Sequence, residues 1–266
     1  MKKKLPLFLA LVCAAAMLLT ACGSSKLTLT ILDTEYALED YAICVAKENA
    51  DLTARMNEAL KALQDDGTVD AIIGKYINGK EHSLTFQTDV AADAPVLTMA
   101  TNPNFPPYEF YVNDKIVGID AEIAAAMCDK MGCRLEIAPT EFGSIIGGVQ
   151  TGKYDFGMAG MTVTDKRKES VDFTISYATG IQSVIVPEGG KVTSLDDLYA
   201  EGSTLIIGVQ QDTTGDIYAT GDFGEDRVLR YTYGADAVQA LMTGKVDCVI
   251  TDNEPAKNYI ASFNAK

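Results

Sequence analysis

The chain is short of basic residues, histidine, cysteine and long apolar runs, and each shortage argues against a class of function. Lys and Arg number 22 against 37 Asp and Glu, a formal charge of −15. Neutralising nucleic-acid phosphates needs the opposite sign, so no nucleic-acid partner is expected. The single histidine, His82, stands in a polar stretch where solvation is its expected fate, which removes the usual proton shuttle of acid–base catalysis. Six cysteines in 266 residues are too sparse for a disulfide-framed scaffold, and none forms a CxxC or a His-paired metal spacing. Cys44, Cys128, Cys133 and Cys248 read as buried thiols, and the five-residue spacing of Cys128 and Cys133 on one helix is poor geometry for a local bridge. P-loop, GxGxxG, GxSxG and HExxH patterns are absent, and no cofactor or metal is expected. Beyond the first twenty residues, no apolar run reaches the ~20 residues of a membrane span.

What is present is a chain that is 47% hydrophobic and 22% charged, enough to build one or two domains with real cores. Lys2, Lys3 and Lys4 precede the fifteen-residue apolar stretch Leu5–Leu19, the layout of a secretory signal over residues 1–21. The ending Leu19-Thr20-Ala21-Cys22 resembles a bacterial lipoprotein signal, in which Cys22 is lipidated and residues 22–26 form a tether. An ordinary signal with an incidental cysteine is the alternative. Removal of the leader takes three of the 22 basic residues and no acid, leaving 19 against 37, or −18.

Further on, Leu27–Leu32 alternates like a half-buried strand and Tyr41–Ala46 is a second strand candidate. Leu52, Met56, Leu60 and Leu63 mark an amphipathic helix, and Val69–Ile77 a shorter one. Periodicity fades through Asn78–Pro95, which reads as a linker. Strand signals then sit at 97–100, 135–138, 156–159, 183–186, 205–209 and 246–251, alternating with helix signals at 119–131, 144–151, 235–243 and 254–262. That order predicts βαβ units and mostly parallel sheets. Gln150-Thr151-Gly152-Lys153-Tyr154-Asp155 recurs as Met242-Thr243-Gly244-Lys245-Val246-Asp247, which suggests two similar α/β lobes whose strand ends face a shared cleft.

Four stretches at strand ends carry the chemistry. Asn102–Phe110 packs aromatics and prolines into a stiff wall with a polar tip, or simply caps the sheet. Ala159–Glu169 offers Arg167 as a forked cation, or a solvated charged face. Gln210–Asp216 precedes a helix whose first N–H groups would face an anion. Thr251-Asp252-Asn253-Glu254-Pro255 places a carboxylate at a strand end, where it is either a ligand group or an N-cap.

These stretches resemble, in this order, the bacterial extracellular solute-binding proteins of family 3, which deliver polar amino acids to ABC importers. The wording Phe105-Pro106-Pro107-Tyr108-Glu109, Gly160-Met161-Thr162-Val163-Thr164-Asp165-Lys166-Arg167, Thr213-Thr214-Gly215 and Asp252-Asn253-Glu254-Pro255 carries the likeness, over residues 27–80 and 97–266. It implies a monomeric two-lobed α/β fold of the periplasmic-binding-protein type. Residues 27–80 match the end of the usual chain but come first here, which implies a circular permutation. Lobe 1 would comprise 41–80 and 97–176, lobe 2 27–37 and 182–266, with hinges near 38–40 and 177–181 and residues 81–96 joining the usual termini. A swapped neighbour completed by residues 27–80 is the alternative to completion within one chain.

By the same likeness Arg167 would clamp a ligand carboxylate with Thr162, Thr214 and Gly215. Asp252 would take the ammonium with the Gly160 carbonyl beside Ala159. Phe105 and Phe142 would sandwich the side chain, Asn102 would bind its polar end, and Gln210 would reach in from the second lobe. A ligand lacking either charged group would leave a buried ion unpaired, at about 3–5 kcal/mol. Asp212 stands where glycine is more usual. If Asp212 or Glu109 lines the cleft, a lysine or arginine side chain is favoured over a glutamine-like one; acidic ligands are not expected. The implied protein is non-catalytic, held by its lipid outside the cytoplasmic membrane beside permease subunits. A sensor lipoprotein, or a dehydratase-like enzyme on the same fold, remain the other classes.

Overall fold

The computed structural model describes residues 27–265; the leader and Cys22 lie outside them. The first strands are β1 (Leu29–Ile31), β2 (Ala37–Tyr41) and β3 (Cys44–Val45), so the Tyr41–Ala46 strand signal is split in two. Helices α1 (Ala50–Asp65) and α2 (Thr68–Asn78) follow. Helix α1 forms because Leu52, Met56, Ala59, Leu60 and Leu63 fall on one face and are all buried. It stops at Asp66-Gly67, where Gly67 turns at φ 79°.

A five-stranded sheet contains β3, β4 (Val96–Thr101), β8 (Arg134–Pro139), β9 (Phe156–Gly157) and β10 (Asp172–Phe173), in the order β10-β3-β9-β4-β8. Beside it lies a small antiparallel sheet of β5 (Asn104–Phe105), β6 (Glu109–Val112) and β7 (Lys115–Val117). Helices α3 (Ile119–Met131), α4 (Ile145–Gln150) and α5 (Asp165–Lys168) complete this half. The other half is a six-stranded sheet of order β1-β11-β14-β12-β13, with β2 also against β11. It comprises β11 (Ala178–Pro187), β12 (Ile207–Gln210), β13 (Val228–Tyr231) and β14 (Cys248–Asp252), covered by α6 (Leu195–Tyr199), α7 (Thr214–Phe223), α8 (Gly234–Met242) and α9 (Asn253–Asn264).

The expectation of mostly parallel sheets needs correction. The parallel pairs are β4–β8, β4–β9, β12–β13 and β12–β14; every other pair in the two large sheets is antiparallel. The reason is physical: βα crossovers give parallel neighbours, but each antiparallel pair involves a strand of the N-terminal segment or the long strand β11. The N-terminal segment thus supplies strands to both sheets. Where it passes between them it is stitched down: Val163 N–H donates to Asp40 O at 3.0 Å and Ala42 N–H to Met161 O at 3.1 Å.

The 79–95 stretch has no regular structure but is fastened. Gln87 donates from its backbone to Asp129 Oδ2 at 2.9 Å and from its side chain to Cys133 O at 3.1 Å, and accepts from Leu135 N–H at 2.8 Å. His82 is not solvated as expected: its side chain is 9% exposed and lies 3.2 Å from Glu122 on α3. Cys44, Cys128, Cys133 and Cys248 are buried and free. Among the described residues no helix is long and apolar enough to cross a membrane.

Candidate functional site

The carboxyl ends of β4, β9, β12 and β14 converge between the two large sheets, the place where ligands meet open α/β sheets. They surround a narrow space lined by Asn102, Phe105, Glu109, Phe142, Ala159, Gly160, Thr162, Arg167, Gln210, Thr213, Thr214 and Asp252. Only about 10 Å³ of it admits the centre of a water-sized sphere, so the two walls are nearly shut on each other. Asn102 follows β4, Phe105 comes from the small sheet, and Phe142 opens a short 3-10 turn. Ala159 and Gly160 follow β9, Arg167 sits on α5, Thr213 caps α7, and Asp252 ends β14. Gly160 is required: at φ 53° an added Cβ would lie 2.7 Å from the Phe105 ring.

Ten of the eleven ligand-binding residues read from the sequence line this cavity. Gly215 does not; a Cβ there would meet Gln182 Oε1 and Ile250 O at 3.1 Å, so its small size lets α7 approach the sheet. Of the two carboxylates left open, Glu109 lines the cavity and Asp212 does not. Asp212 is exposed and holds the left-handed φ of 64°, which explains why a glycine would suit that place.

Arg167 is 8% exposed. Its Nη1 donates to Thr162 O at 2.8 Å, its Nη2 to Asp212 O across the cleft at 3.0 Å, and its guanidinium stacks over Phe142 at 5.2 Å. Both partners are neutral carbonyls, and among the described residues no carboxylate pairs with it. A guanidinium stays charged even when buried, so this cation calls for an anion. The N-terminus of α7 adds its dipole from the other wall.

The opposite end is acidic. Asp252 is 7% exposed and accepts a hydrogen bond from the Tyr41 hydroxyl. Burial, and next the charge of Glu39, push its carboxyl well above the ordinary range. Glu109 is fully buried, neither of its oxygens meets a donor, and burial with Asp120 beside it raises it likewise. Asp120 is pushed up to about 6 by burial, held down by hydrogen bonds from Gly160 N–H at 2.9 Å and the Tyr177 hydroxyl at 3.0 Å.

The two walls touch. Gln210 Nε2 donates to Asn102 Oδ1 at 3.1 Å, the Thr162 and Thr214 hydroxyls are 3.4 Å apart, and the Tyr259 hydroxyl donates to Asn104 O at 2.8 Å. The arrangement is a nearly closed chamber whose lining holds the Arg167 guanidinium together with the carboxyl groups of Asp252 and Glu109. It is built to bind a small zwitterion. Among the described residues no cluster suited to a metal ion occurs.

The profile of the bacterial extracellular solute-binding proteins, family 3, matches residues 97–225. A probable histidine-binding protein of Neisseria gonorrhoeae is 31% identical over 185 residues, covering 67% of this chain and 68% of that protein. The arginine-binding extracellular protein ArtP of Bacillus subtilis is 30% identical over 169 residues, 62% of this chain and 64% of ArtP. Among solved structures, the arginine-, lysine-, histidine-binding protein ArtJ of Geobacillus stearothermophilus gives a TM-score of 0.60 at 31% identity, over 64% of this chain and 72% of that one.

Proposed function

The chain belongs to family 3 of the bacterial extracellular solute-binding proteins, and from that premise we propose that it captures a basic or polar amino acid in the cavity between its sheets and delivers it to an ABC-type importer. The observation that carries this reading is the unpaired, buried guanidinium of Arg167 facing the buried carboxylate of Asp252 across one small chamber. Arg167, with Thr162, Thr214 and the start of α7, takes the ligand carboxylate. Asp252 and the Gly160 carbonyl take its ammonium, and Phe105 and Phe142 flank the side chain.

Glu109 supports a basic ligand. It lines the cavity with two acceptor oxygens and no donor of its own, so an arginine or lysine side chain would supply what it lacks. The relatives named for histidine, arginine and lysine agree with that choice. An acidic side chain would bring a third charge of the wrong sign. The protein acts by binding, with no chemical step.

Two further parts belong to the proposal. Cys22 carries a lipid that holds the protein at the outer face of the cytoplasmic membrane. The chain is a circular permutant whose residues 27–80 complete their own fold. Supporting this, Leu29 and Asn264, near the two ends, exchange two hydrogen bonds of 3.0 Å, and 79–95 spans from α2 to β4. Termini that meet in this way can be joined or moved without disturbing the core.

The test is thermal unfolding of the soluble segment from Gly23 onward against the twenty amino acids. A ligand at 100 times its dissociation constant adds about 2.7 kcal/mol of stability. Arginine, lysine or histidine is expected to raise the midpoint and glutamate and aspartate to leave it unmoved; a shift with the acidic pair alone would overturn the reading.

A further inference from the structure

The ammonium end holds a second carboxylate. Glu39 lies on β2, in the N-terminal segment, and is 4% exposed. Glu39 and Tyr41 are two apart and so share a face of β2. Their partners on β11 are Gly180 and Ala178, and on the same strand Gln182 pairs with Asp252 of β14. Gly180 leaves that face bare, and a Cβ there would sit 2.2 Å from the Tyr41 hydroxyl. The gap lets Tyr41 reach over β11 and donate to Asp252 Oδ1. Gln182 Nε2 donates to Glu39 Oε2 at 3.0 Å and reaches the Thr214 hydroxyl at 3.4 Å. Glu39 and Asp252 thus meet at Gln182, which bonds the first and is the ladder partner of the second, and the charge of Glu39 acts on Asp252. The Tyr218 hydroxyl approaches Glu39, yet Oε1 has no donor in hydrogen-bonding geometry.

Asp252, buried and next to the charge of Glu39, keeps its proton well above the ordinary carboxyl range. We propose that Glu39 is a positioning residue of the ammonium site: its charge helps hold a proton on Asp252 while the cleft is empty, and an arriving α-ammonium displaces that proton, so each amino acid bound releases one proton to solvent. The balance is simple. The carboxyl O–H breaks, the proton leaves to buffer, and an N–H of the ammonium takes its place at Asp252. The proposal rests on the reading of this cleft as an amino-acid site.

Other charged and titratable groups face Glu39 and Asp252. Arg167 on α5 favours the ionised form, while Glu109 on β6 opposes it. Tyr108, in the turn before β6, Tyr218 on α7 and Tyr259 on α9 face it as neutral phenols, all with their hydroxyls pushed up, first by burial. Glu109, with Asp120, is the other pair able to exchange a proton on binding, so it is the control.

The experiment is titration calorimetry with arginine and with lysine, at pH 6, in buffers of differing ionisation enthalpy, whose slope counts protons. The wild type is expected to release about one proton per ligand. Glu39→Gln should bind with a smaller release, and Glu109→Gln should keep it. Release that is absent in the wild type, that is undiminished in Glu39→Gln, or that vanishes in Glu109→Gln instead would overturn the proposal. No binding of either ligand would instead overturn the amino-acid reading. Should Glu39→Gln fail to fold, the wild type alone decides: affinity should rise about tenfold per pH unit across the acid side of the profile, and a flat profile from pH 5 to 9 contradicts a proton held on Asp252.

Discussion

Asp120 opens α3 beneath the cavity with no exposed surface, and its carboxyl is pushed up to about 6 by burial. A carboxyl raised in the folded state binds protons that the unfolded chain has already lost. Its contribution to stability is therefore full below about pH 4 and is lost as pH rises through 6. Two pKa units correspond to about 3 kcal/mol. Asp120→Asn should flatten the fall in urea-unfolding stability between pH 4 and pH 7 by about that amount; an unchanged pH profile would show that Asp120 is solvated. The residues legible in the sequence were those whose local wording is distinctive, such as Arg167 and Asp252. Glu39 and Tyr41 had no such signal, because their place beside Asp252 is made only when β2 pairs with β11, some 140 residues away.

The elements divide by length. Ile119–Met131 is found over the same residues that its pattern predicts, and α1 ends at Asp65, before the expected stop at Asp66-Gly67, and starts two residues ahead of Leu52, because several turns of helix repeat the 3.6 spacing. The hairpin strands β5 to β7 and the strand β13 escaped, having two to four residues each and no room for an alternation. The N-terminal strands matter most. In the five-stranded sheet β3 lies between β9 and β10, and in the other sheet β1 and β2 line one edge of β11. A chain that starts at Val96 would leave those strand edges unpaired, so it is expected to lose cooperative unfolding. A reordered chain, in which residues 27–80 follow residue 266 through a short linker, should regain it together with ligand binding. Circular dichroism melts of the two variants check this. A stable chain from Val96 would contradict the role given to the segment, and a reordered chain that stays unfolded would contradict the permutation.

At the scale of the molecule, two sheets are joined by the passages 38–42 and 176–182, and the first and last described elements, β1 and α9, lie in the half that holds β11 to β14. In the proposed reading the other half swings about those passages. The contacts that close the cleft are few and polar, Gln210 to Asn102 and Arg167 to Asp212 among them, which suits a wall that must open again. The net charge of −15 serves solubility more than capture, since the acids that matter to the ligand are the buried ones. The central claim is that an amino acid's carboxylate neutralises Arg167 in a closed cleft. Calorimetric titration of the wild type and Arg167→Ala with arginine tests it most directly. Losing one partner of a buried ion pair costs about 3–5 kcal/mol, so the variant should bind at least about 100-fold more weakly while melting like the wild type. Affinity within a few-fold of the wild type would contradict the account.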